Sequence, residues 1–268
     1  MSRAGLQHEV ALFDKLKVEI HASREAAGEA AANAAAEALR KTAAARQTFG
    51  VIFATGDSQL ATLRALSQID QIPWGQVQGF DMDDYVGLPD SHPASFHAYL
   101  RDNVPGRNRM KSFLEVDGAA GDLDRMCRDY AAALRAADPQ LCLLGIGENG
   151  HLAFNDPAEA DFNDPCDIRV AHLDRTCRLQ QVAEGWFERY EDVPELAITL
   201  TVPALFRVPK LIISVPGERK ASVVRRTVRD PVSPICPSTI LRTHPDATVY
   251  LDEESGAEIT QLMGNINH

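Results

Sequence analysis

The sequence has few cysteines, and their spacing argues against the usual disulfide and zinc frameworks. Among its 268 residues there are five scattered cysteines, namely Cys127, Cys142, Cys166, Cys177 and Cys236. Their number is odd and no two of them form a Cys-x-x-Cys pair, so neither a disulfide scaffold nor a zinc site is indicated. We therefore expect reduced thiols and a cytoplasmic location.

Long apolar runs and basic tracts are also missing. No apolar run reaches the length of a membrane-spanning helix, and no signal-peptide pattern opens the chain, so we expect no association with a membrane. The formal net charge is -11. An acidic chain without a basic tract is a poor candidate for binding nucleic acid. Any phosphorylated ligand would therefore need positive charge supplied locally by its binding site.

The chain contains 45% hydrophobic and 24% charged residues, a composition that suits one large α/β domain or two small ones. Strand patterns alternate with helix patterns, so we predict a single Rossmann-like domain over residues 1–268. Its mainly parallel central sheet carries helices on both faces. The predicted strands are 16–20, 49–54, 77–82, 141–144, 197–200, 210–215 and 248–251. The predicted helices are 24–40, 59–67, 95–103, 122–137, 202–206 and 219–227. Segment 158–194 is the least regular, and is either a lid over the site or an ordinary surface excursion.

The most informative run extends from Gly145 to Pro157. It follows the short apolar strand 141–144 and offers His151 and Asp156, a titratable pair, at the strand's carboxyl end. The glycines in this run match the dinucleotide string G-x-G-x-x-G. However, Pro157 leaves little room for the helix whose N-terminus would receive the pyrophosphate. A tight turn around a buried structural histidine is the alternative to a catalytic site.

Three other predicted strands also end in polar chemistry. Residues 55–58 read Thr-Gly-Asp-Ser and could hold a phosphate, residues 81–84 supply three aspartates, and residues 217–220 end in Lys220. Parallel strands place all four tips on one edge of the sheet, which suits acid–base chemistry on a small phosphorylated compound. Each tip also has a simpler interpretation: a helix cap, a solvated lysine, or an acidic loop that is solvated or binds magnesium.

These segments resemble the glucosamine-6-phosphate deaminase (isomerase) family, which is related to 6-phosphogluconolactonase. The family pattern Gly-x-Gly-x-Asp-Gly-His-Ile-Ala-Phe-Asn-Glu-Pro resembles residues 145–157, and Phe-Asn-Met-Asp-Glu-Tyr-Val-Gly-Leu resembles residues 80–88. The shorter patterns Thr-Gly-Gly-Thr/Ser and Gly-x-x-Lys-Ala resemble residues 55–58 and 217–221. The similarity extends from about Val18 to Asp252.

The resemblance implies conversion of an amino-sugar phosphate to fructose 6-phosphate and ammonia, without a metal or an organic cofactor. Asp83 falls at the position of the family's general base, and His151 at that of the histidine that opens the pyranose ring. Asp156 falls on the carboxylate that orients this histidine, and Asn149 belongs to the same catalytic group. The residues expected to bind the substrate or its phosphate are Thr55, Gly56, Ser58, Asp84, Gly147 and Lys220.

The sequence departs from the family pattern at several of these positions. Asn149 replaces an aspartate and cannot take a proton. Asp57 replaces a glycine beside the proposed phosphate, where a carboxylate would repel the ligand unless it points away. Asp84 and Asp156 each replace a glutamate. The family's phosphate-binding arginine has no clear match within 172–187. The nearby candidates are Arg175, Arg178, Gln180 and Gln181. We interpret the chain as a divergent branch with an altered substrate or altered rates.

Two other functions compete with the deaminase. One is a 6-phosphogluconolactonase-type hydrolase, in which the histidine would activate water. Residues 82–85 and 153–156 do not match the motifs of that relative. The other is a sugar-phosphate sensor that binds without turnover, although the chain has no helix-turn-helix segment. The only partner that we expect is a small phosphorylated amino sugar, and the sequence leaves room for a homo-oligomer.

Overall fold

The computed structural model describes residues 8–260. Its strands are β1 (Glu9–Phe13), β2 (Leu16–His21), β3 (Phe49–Phe53), β4 (Val77–Asp81), β5 (Asp83–Tyr85), β6 (Ser112–Leu114), β7 (Pro139–Leu144), β8 (Ile168–His172), β9 (Leu196–Leu200), β10 (Lys210–Ser214) and β11 (Ala247–Asp252). Its α-helices are α1 (Arg24–Ala45), α2 (Asp57–Ser67), α3 (Phe96–Asn103), α4 (Leu123–Ala137), α5 (Arg175–Ala183), α6 (Val202–Phe206), α7 (Ala221–Arg229) and α8 (Glu253–Gly256).

Eight of the strands in the described part of the chain form one sheet in the order β1-β2-β11-β10-β7-β3-β4-β6. All neighbours in this sheet pair in parallel except β1, which forms an antiparallel hairpin with β2. The predicted α/β class with a mainly parallel central sheet is therefore confirmed. Strands β1 and β6 were not predicted.

Apolar side chains of the central strands alternate between two cores, one on each face of the sheet. Ile52 of β3 and Leu144 of β7 belong to one core, whereas their neighbours Val51 and Leu143 belong to the other. This alternation is the period-two pattern of a strand that is buried on both sides. The second core also contains the small buried face of α1, which lets that helix lie close to the sheet.

A second sheet of three antiparallel strands, in the order β5-β9-β8, was not predicted. Strand β5 begins two residues after β4 ends, and its Asp83 pairs with Thr199 of β9. The chain therefore leaves the main sheet at Met82. Segment 158–194, which we expected to be irregular, contains β8 and α5. Whether this segment acts as a lid stays a prediction.

The strand order reverses direction between β3 and β7. From β3 the chain continues through α2 to β4 on one side, whereas the next main-sheet strand after β7 is β10, on the other side. Connections that diverge in this way open a crevice at the carboxyl ends of the two strands, where open α/β sheets bind ligands. No helix within residues 8–260 combines the length and the apolar character needed to cross a membrane.

Candidate active site

The tips of four strands line a single cavity in this crevice. The turn after β3 contributes Gly56 and Ser58, the turn after β7 contributes His151, and β5 contributes Asp83. Lys220, which follows β10, lies on the same wall. Parallel pairing brings three of these tips to one edge of the sheet. Asp83 arrives by another route, because the chain crosses from β4 to the second sheet just before it.

His151 is held by a buried carboxylate. Its Nδ1 lies 2.9 Å from Oδ1 of Asp156, and both side chains are buried. Burial alone would raise the pKa of Asp156, but hydrogen bonds from His151, from the Asn149 amide and from the backbone N–H of Asp174 keep that pKa below its usual value. An ionised carboxylate can only accept, so Nδ1 of the ring carries the proton and Nε2 is left with a lone pair. His151 can therefore accept a proton at Nε2 and return it.

Asn149 connects two carboxylates. Its Nδ2 donates to Oδ1 of Asp156 and to Oδ2 of Asp174, at 2.8 Å each, and its Oδ1 accepts from the backbone N–H of His151 at 2.9 Å. Each polar atom of this side chain is therefore used. Asn149 does not line the cavity, so its position is that of a residue that orients the histidine–carboxylate pair.

Gly147 is the wall against which the imidazole packs. A Cβ atom built on Gly147 would lie 2.1 Å from Nε2 of His151, which real atoms do not tolerate. Ala153, which also lines the cavity, has a φ of 52°, a left-handed conformation that costs energy for a residue with a side chain. The turn after β7 therefore has a shape that few other residue choices at these positions would permit.

Asp83 is almost completely buried, with 5% of its surface exposed. This burial, together with the carboxylate of Asp84, raises the pKa of Asp83 to about 8. A carboxyl group with such a pKa can be protonated or ionised near neutral pH, as a residue that shuttles a proton must be. The next acidic neighbour is Asp81, whose pKa is raised well above the usual value by burial and by the two other aspartates.

Asp84 does not occupy the position that we expected. It is not among the residues that line the cavity. Its Oδ2 accepts from the backbone N–H of Gly118 at 3.3 Å and lies 3.6 Å from Nε2 of His97. The physical reason is the strand itself, because consecutive residues of β5 point to opposite faces. Asp83 and Asp84 cannot both face the cavity, so Asp84 acts on the site only through its charge.

The other end of the cavity is suited to an anion. Gly56 precedes α2 with a φ of 98° and supplies no side-chain cap to the N–H groups of the first turn, of which that of Gln59 donates to the Gly56 carbonyl at 3.1 Å. Lys220 is buried, and its Nζ donates to the carbonyl of Ile146 at 2.9 Å. Burial lowers the pKa of Lys220. Among the described residues no carboxylate lies within ion-pair distance of this ammonium group.

Sequence reasoning missed several residues of the cavity wall. Arg24, at the start of α1, lines it and pairs with Asp57, whose Oδ2 lies 2.6 Å from Nη1 of the arginine. Glu184 and Trp186 line it as well, with Trp186 Nε1 donating to Glu184 at 3.3 Å. The strand-end argument that located the other tips also applies to Arg24, which comes three residues after the end of β2. No sequence signal marked the two residues beyond α5.

The candidates for the role of the family's phosphate-binding arginine were Arg175, Arg178, Gln180 and Gln181. The structure divides them into two groups. Gln180 and Gln181 line the cavity, whereas the two arginines do not. The buried Arg178 donates to the carbonyl of Val193 at 2.8 Å and to that of Tyr190 at 3.1 Å. Its guanidinium is therefore used to hold the chain beyond α5 and faces away from the cavity.

Two groups among the described residues have donor atoms close enough to share a metal ion. One consists of His151, Asp156 and Cys177 inside the site, and the other of His8, Glu19 and His21 on the β1–β2 hairpin. In the first group the hydrogen bonds already described satisfy His151 Nδ1 and Asp156.

The sequence is similar to that of a known protein family over most of its length. Residues 22–250 match the family model of glucosamine-6-phosphate isomerases/6-phosphogluconolactonase. The glucosamine-6-phosphate deaminases of Bacillus thuringiensis (strain Al Hakam) and Bacillus anthracis (strain CDC 684 / NRRL 3495) are 32% identical over 202 residues, covering 75% of this chain and 75% of each relative.

Solved structures of other proteins share the fold of this chain. A monomeric glucosamine-6-phosphate deaminase has a TM-score of 0.81 at 26% identity, covering 90% of this chain and 99% of that one. A 6-phosphogluconolactonase from Thermotoga maritima has a TM-score of 0.70 at 17% identity, covering 89% and 100%. At that identity the second likeness concerns the fold alone.

Proposed function

Because this chain belongs to the glucosamine-6-phosphate isomerase/6-phosphogluconolactonase family, we propose that it converts glucosamine 6-phosphate and water to fructose 6-phosphate and ammonia. The observation that supports this reaction best is the placement of two proton-transfer groups and a cation in one cavity. These are the His151–Asp156 pair, the buried Asp83, and Lys220.

The first step in this proposal is ring opening at His151. Nε2 takes the proton of the anomeric hydroxyl and delivers a proton to the ring oxygen, which yields the open-chain aldehyde. The positive charge that develops on the imidazole is stabilised by Asp156, whose carboxylate lies 2.9 Å from Nδ1. The ring can make both transfers at Nε2, because Asp156 keeps the other proton on Nδ1.

The second step is the transfer of a proton from C2 to C1 by Asp83. The carboxylate removes the C2 proton while the substrate ammonium group gives a proton to O1, which forms an enolamine, and return of the first proton to C1 leaves an iminium group at C2. Water adds to C2 and ammonia departs, so one water molecule is consumed for each ammonia released. A substrate ammonium group beside Asp83 would favour the ionised carboxyl and counter the burial that raises its pKa. This electrostatic match favours an amino sugar over a lactone, whose ring carries no cation to place beside Asp83.

The phosphate in this proposal binds at the opposite end of the cavity. Thr55, Gly56 and Ser58 surround the start of α2, where backbone N–H groups attract an anion. Lys220 adds a positive charge whose hydrogen bond goes to a carbonyl oxygen and which forms no ion pair within the described residues, although Glu148 and Glu184 act on it from farther away. A buried ammonium group without a carboxylate partner is costly, and a bound phosphate would offset that cost.

The proposal is tested by ammonium release from glucosamine 6-phosphate, followed together with NMR of the sugar carbons. We expect wild-type turnover and a loss of about a thousandfold or more in Asp83→Asn, because general acid–base groups contribute about 100- to 10,000-fold. Asp161→Asn is the control, since this exposed aspartate is not among the cavity residues. An Asp83→Asn protein with full activity would remove the proposed base.

The same assay distinguishes the alternatives. A lactonase would open 6-phosphogluconolactone with water activated by His151 and would release no ammonium from the amino sugar. A sensor would bind the sugar phosphate in calorimetry and leave its carbon spectrum unchanged. Either result would replace the deaminase assignment.

A further inference from the structure

Arg24 is a charged residue of the cavity wall that the reaction described above does not use. It is the first residue of α1, directly beyond the N-cap Ser23, and it lines the same end of the cavity as Gly217 and Lys220. Its Nη2 lies 3.5 Å from the position that a Cβ atom on Gly217 would occupy. The guanidinium therefore reaches across from α1 to the turn that follows β10.

The partner of Arg24 is Asp57, the residue that we expected to disturb phosphate binding. Nη1 lies 2.6 Å from Oδ2 of Asp57, with 37% of the arginine side chain and 46% of the aspartate side chain exposed. Pairs this exposed contribute little to stability. The contact has a clearer electrostatic consequence, because it neutralises a carboxylate in the first turn of α2, where an anion would otherwise be repelled.

Arg24 supplies one of the few positive charges in the cavity wall. The cations in the wall are Arg24, Arg219 and Lys220. Three exposed or half-buried carboxylates oppose them, Asp57, Glu184 and Glu218. Asp83, with a pKa of about 8, is mostly neutral at pH 7. With Arg24 these charges cancel, whereas without it the wall is formally negative and would repel a phosphate dianion.

We infer that Arg24 binds the substrate phosphate directly, as a second cation beside Lys220, while its pair with Asp57 leaves the rest of the guanidinium free to do so. This inference rests on the proposed function for the identity of the ligand. The pair with Asp57 engages Nη1, and the remaining guanidinium N–H groups can donate to phosphate oxygens. A guanidinium is suited to this role because its planar donors match two oxygens at once.

The test is the binding of inorganic phosphate to the full chain, measured by calorimetry, because that reading does not depend on turnover. Arg24→Gln should weaken phosphate binding by about tenfold or more, as expected for a charge-assisted contact. Arg24→Lys keeps the charge and should lie between Arg24→Gln and wild type. Asp57→Asn should bind phosphate at least as tightly as wild type, since it removes a negative charge from the cavity.

The double variant Arg24→Gln/Asp57→Asn separates direct contact from simple neutralisation. If Arg24 contacts the phosphate, the double variant stays weak. If Arg24 only neutralises Asp57, the double variant binds like wild type, and the inference is overturned. The matched control is Arg46→Gln, which removes the same charge from a similar pair with Asp138 at the other end of α1. It should leave phosphate binding unchanged.

Turnover of glucosamine 6-phosphate provides a second measurement, which is independent of the phosphate-binding assay. With glucosamine 6-phosphate, Arg24→Gln should raise KM much more than it lowers kcat. If no amino-sugar phosphate is turned over but phosphate binding still depends on Arg24, the proposed reaction fails and this inference stands. Unchanged phosphate binding in a folded Arg24→Gln protein, or a wild type that binds no phosphate, would overturn the inference whatever the reaction is.

Discussion

The pH dependence of catalysis offers the sharpest test of the site, because it depends on one buried carboxyl group. Burial and the charge of Asp84 raise the pKa of Asp83 to about 8. A general base works only when it is ionised, so kcat/KM should rise with pH and level off above about pH 8. With that pKa about one molecule in eleven is ionised at pH 7 and half at pH 8. The expected gain is therefore roughly fivefold over that unit and about tenfold from pH 6 to pH 7.

The substrate amine also titrates in this range and would produce a similar rise in the plot of kcat/KM against pH, called the limb of the profile below. The variant Asp84→Asn separates the two sources. Asp84 has a pKa of about 6, raised by burial and opposed by His97, so it is ionised while Asp83 titrates. Removing its charge should move the limb of the profile to lower pH, although not to the ordinary aspartate range, because burial is the larger cause at Asp83. A limb that belongs to the substrate would not move.

The measurement is kcat/KM for ammonium release from pH 5.5 to 9.5 in buffers of constant ionic strength, for wild type and Asp84→Asn. His97→Gln, which removes the group that favours ionised Asp84, should shift the limb in the same direction as Asp84→Asn but less far. A wild-type profile that is flat between pH 6 and 8 would refute the reasoning. A limb in the same place in both proteins would equally show that Asp83 does not limit the rate.

Three further predictions concern the same residues. Asn149→Asp restores the residue usual in the family but should lower kcat by tenfold or more. The reason is that the amide that donates to two carboxylates at 2.8 Å becomes a third carboxylate. Steady-state kinetics above pH 7 test this prediction. Gly147→Ala should reduce kcat while the protein stays folded, since the new Cβ would lie 2.1 Å from Nε2 of His151; circular dichroism and kinetics together would show it. Asp83→Asn should melt at a higher temperature than wild type at pH 8.5 but not at pH 4. The raised pKa of Asp83 means that the folded wild type loses stability as pH rises from 3.8 through about 8. The difference in the free energy of unfolding has a ceiling of about 6 kcal/mol, and equal melting temperatures at pH 8.5 would contradict the prediction.

The central sheet could be predicted from the sequence because its strands are short apolar runs bounded by turn residues. Strands β3, β7 and β10 are nearly fully buried, and their pattern is visible without a structure. The second sheet could not be predicted, because β8 and β5 alternate or mix polarity and pair with β9 only through tertiary contacts. Helix α5 was missed for a related reason, since its buried residues include Gln180 and Gln181.

The candidate site could likewise be predicted from the sequence only in part. The strand-end rule located Ser58, His151 and Lys220, because parallel strands bring their tips to one edge. It also pointed to the aspartate cluster, but only the structure shows that β5 turns Asp83 toward the cavity and Asp84 away from it. Their functional roles stay predictions. Hydrogen-bond partners such as the Arg24–Asp57 pair depend on distances between elements that no local pattern encodes.

Two of the departures from the family pattern, at positions 57 and 149, are matched by neighbouring residues. Asp57 places a carboxylate in the first turn of α2, and Arg24 meets it at 2.6 Å. Asn149 replaces an aspartate at a point where Asp174 supplies a second carboxylate, and its amide is the group that can donate to both. In each case a reversion to the family residue at one position alone would leave the neighbour without its partner. The altered residues are therefore better tested in pairs than singly, as in the double variant at positions 24 and 57.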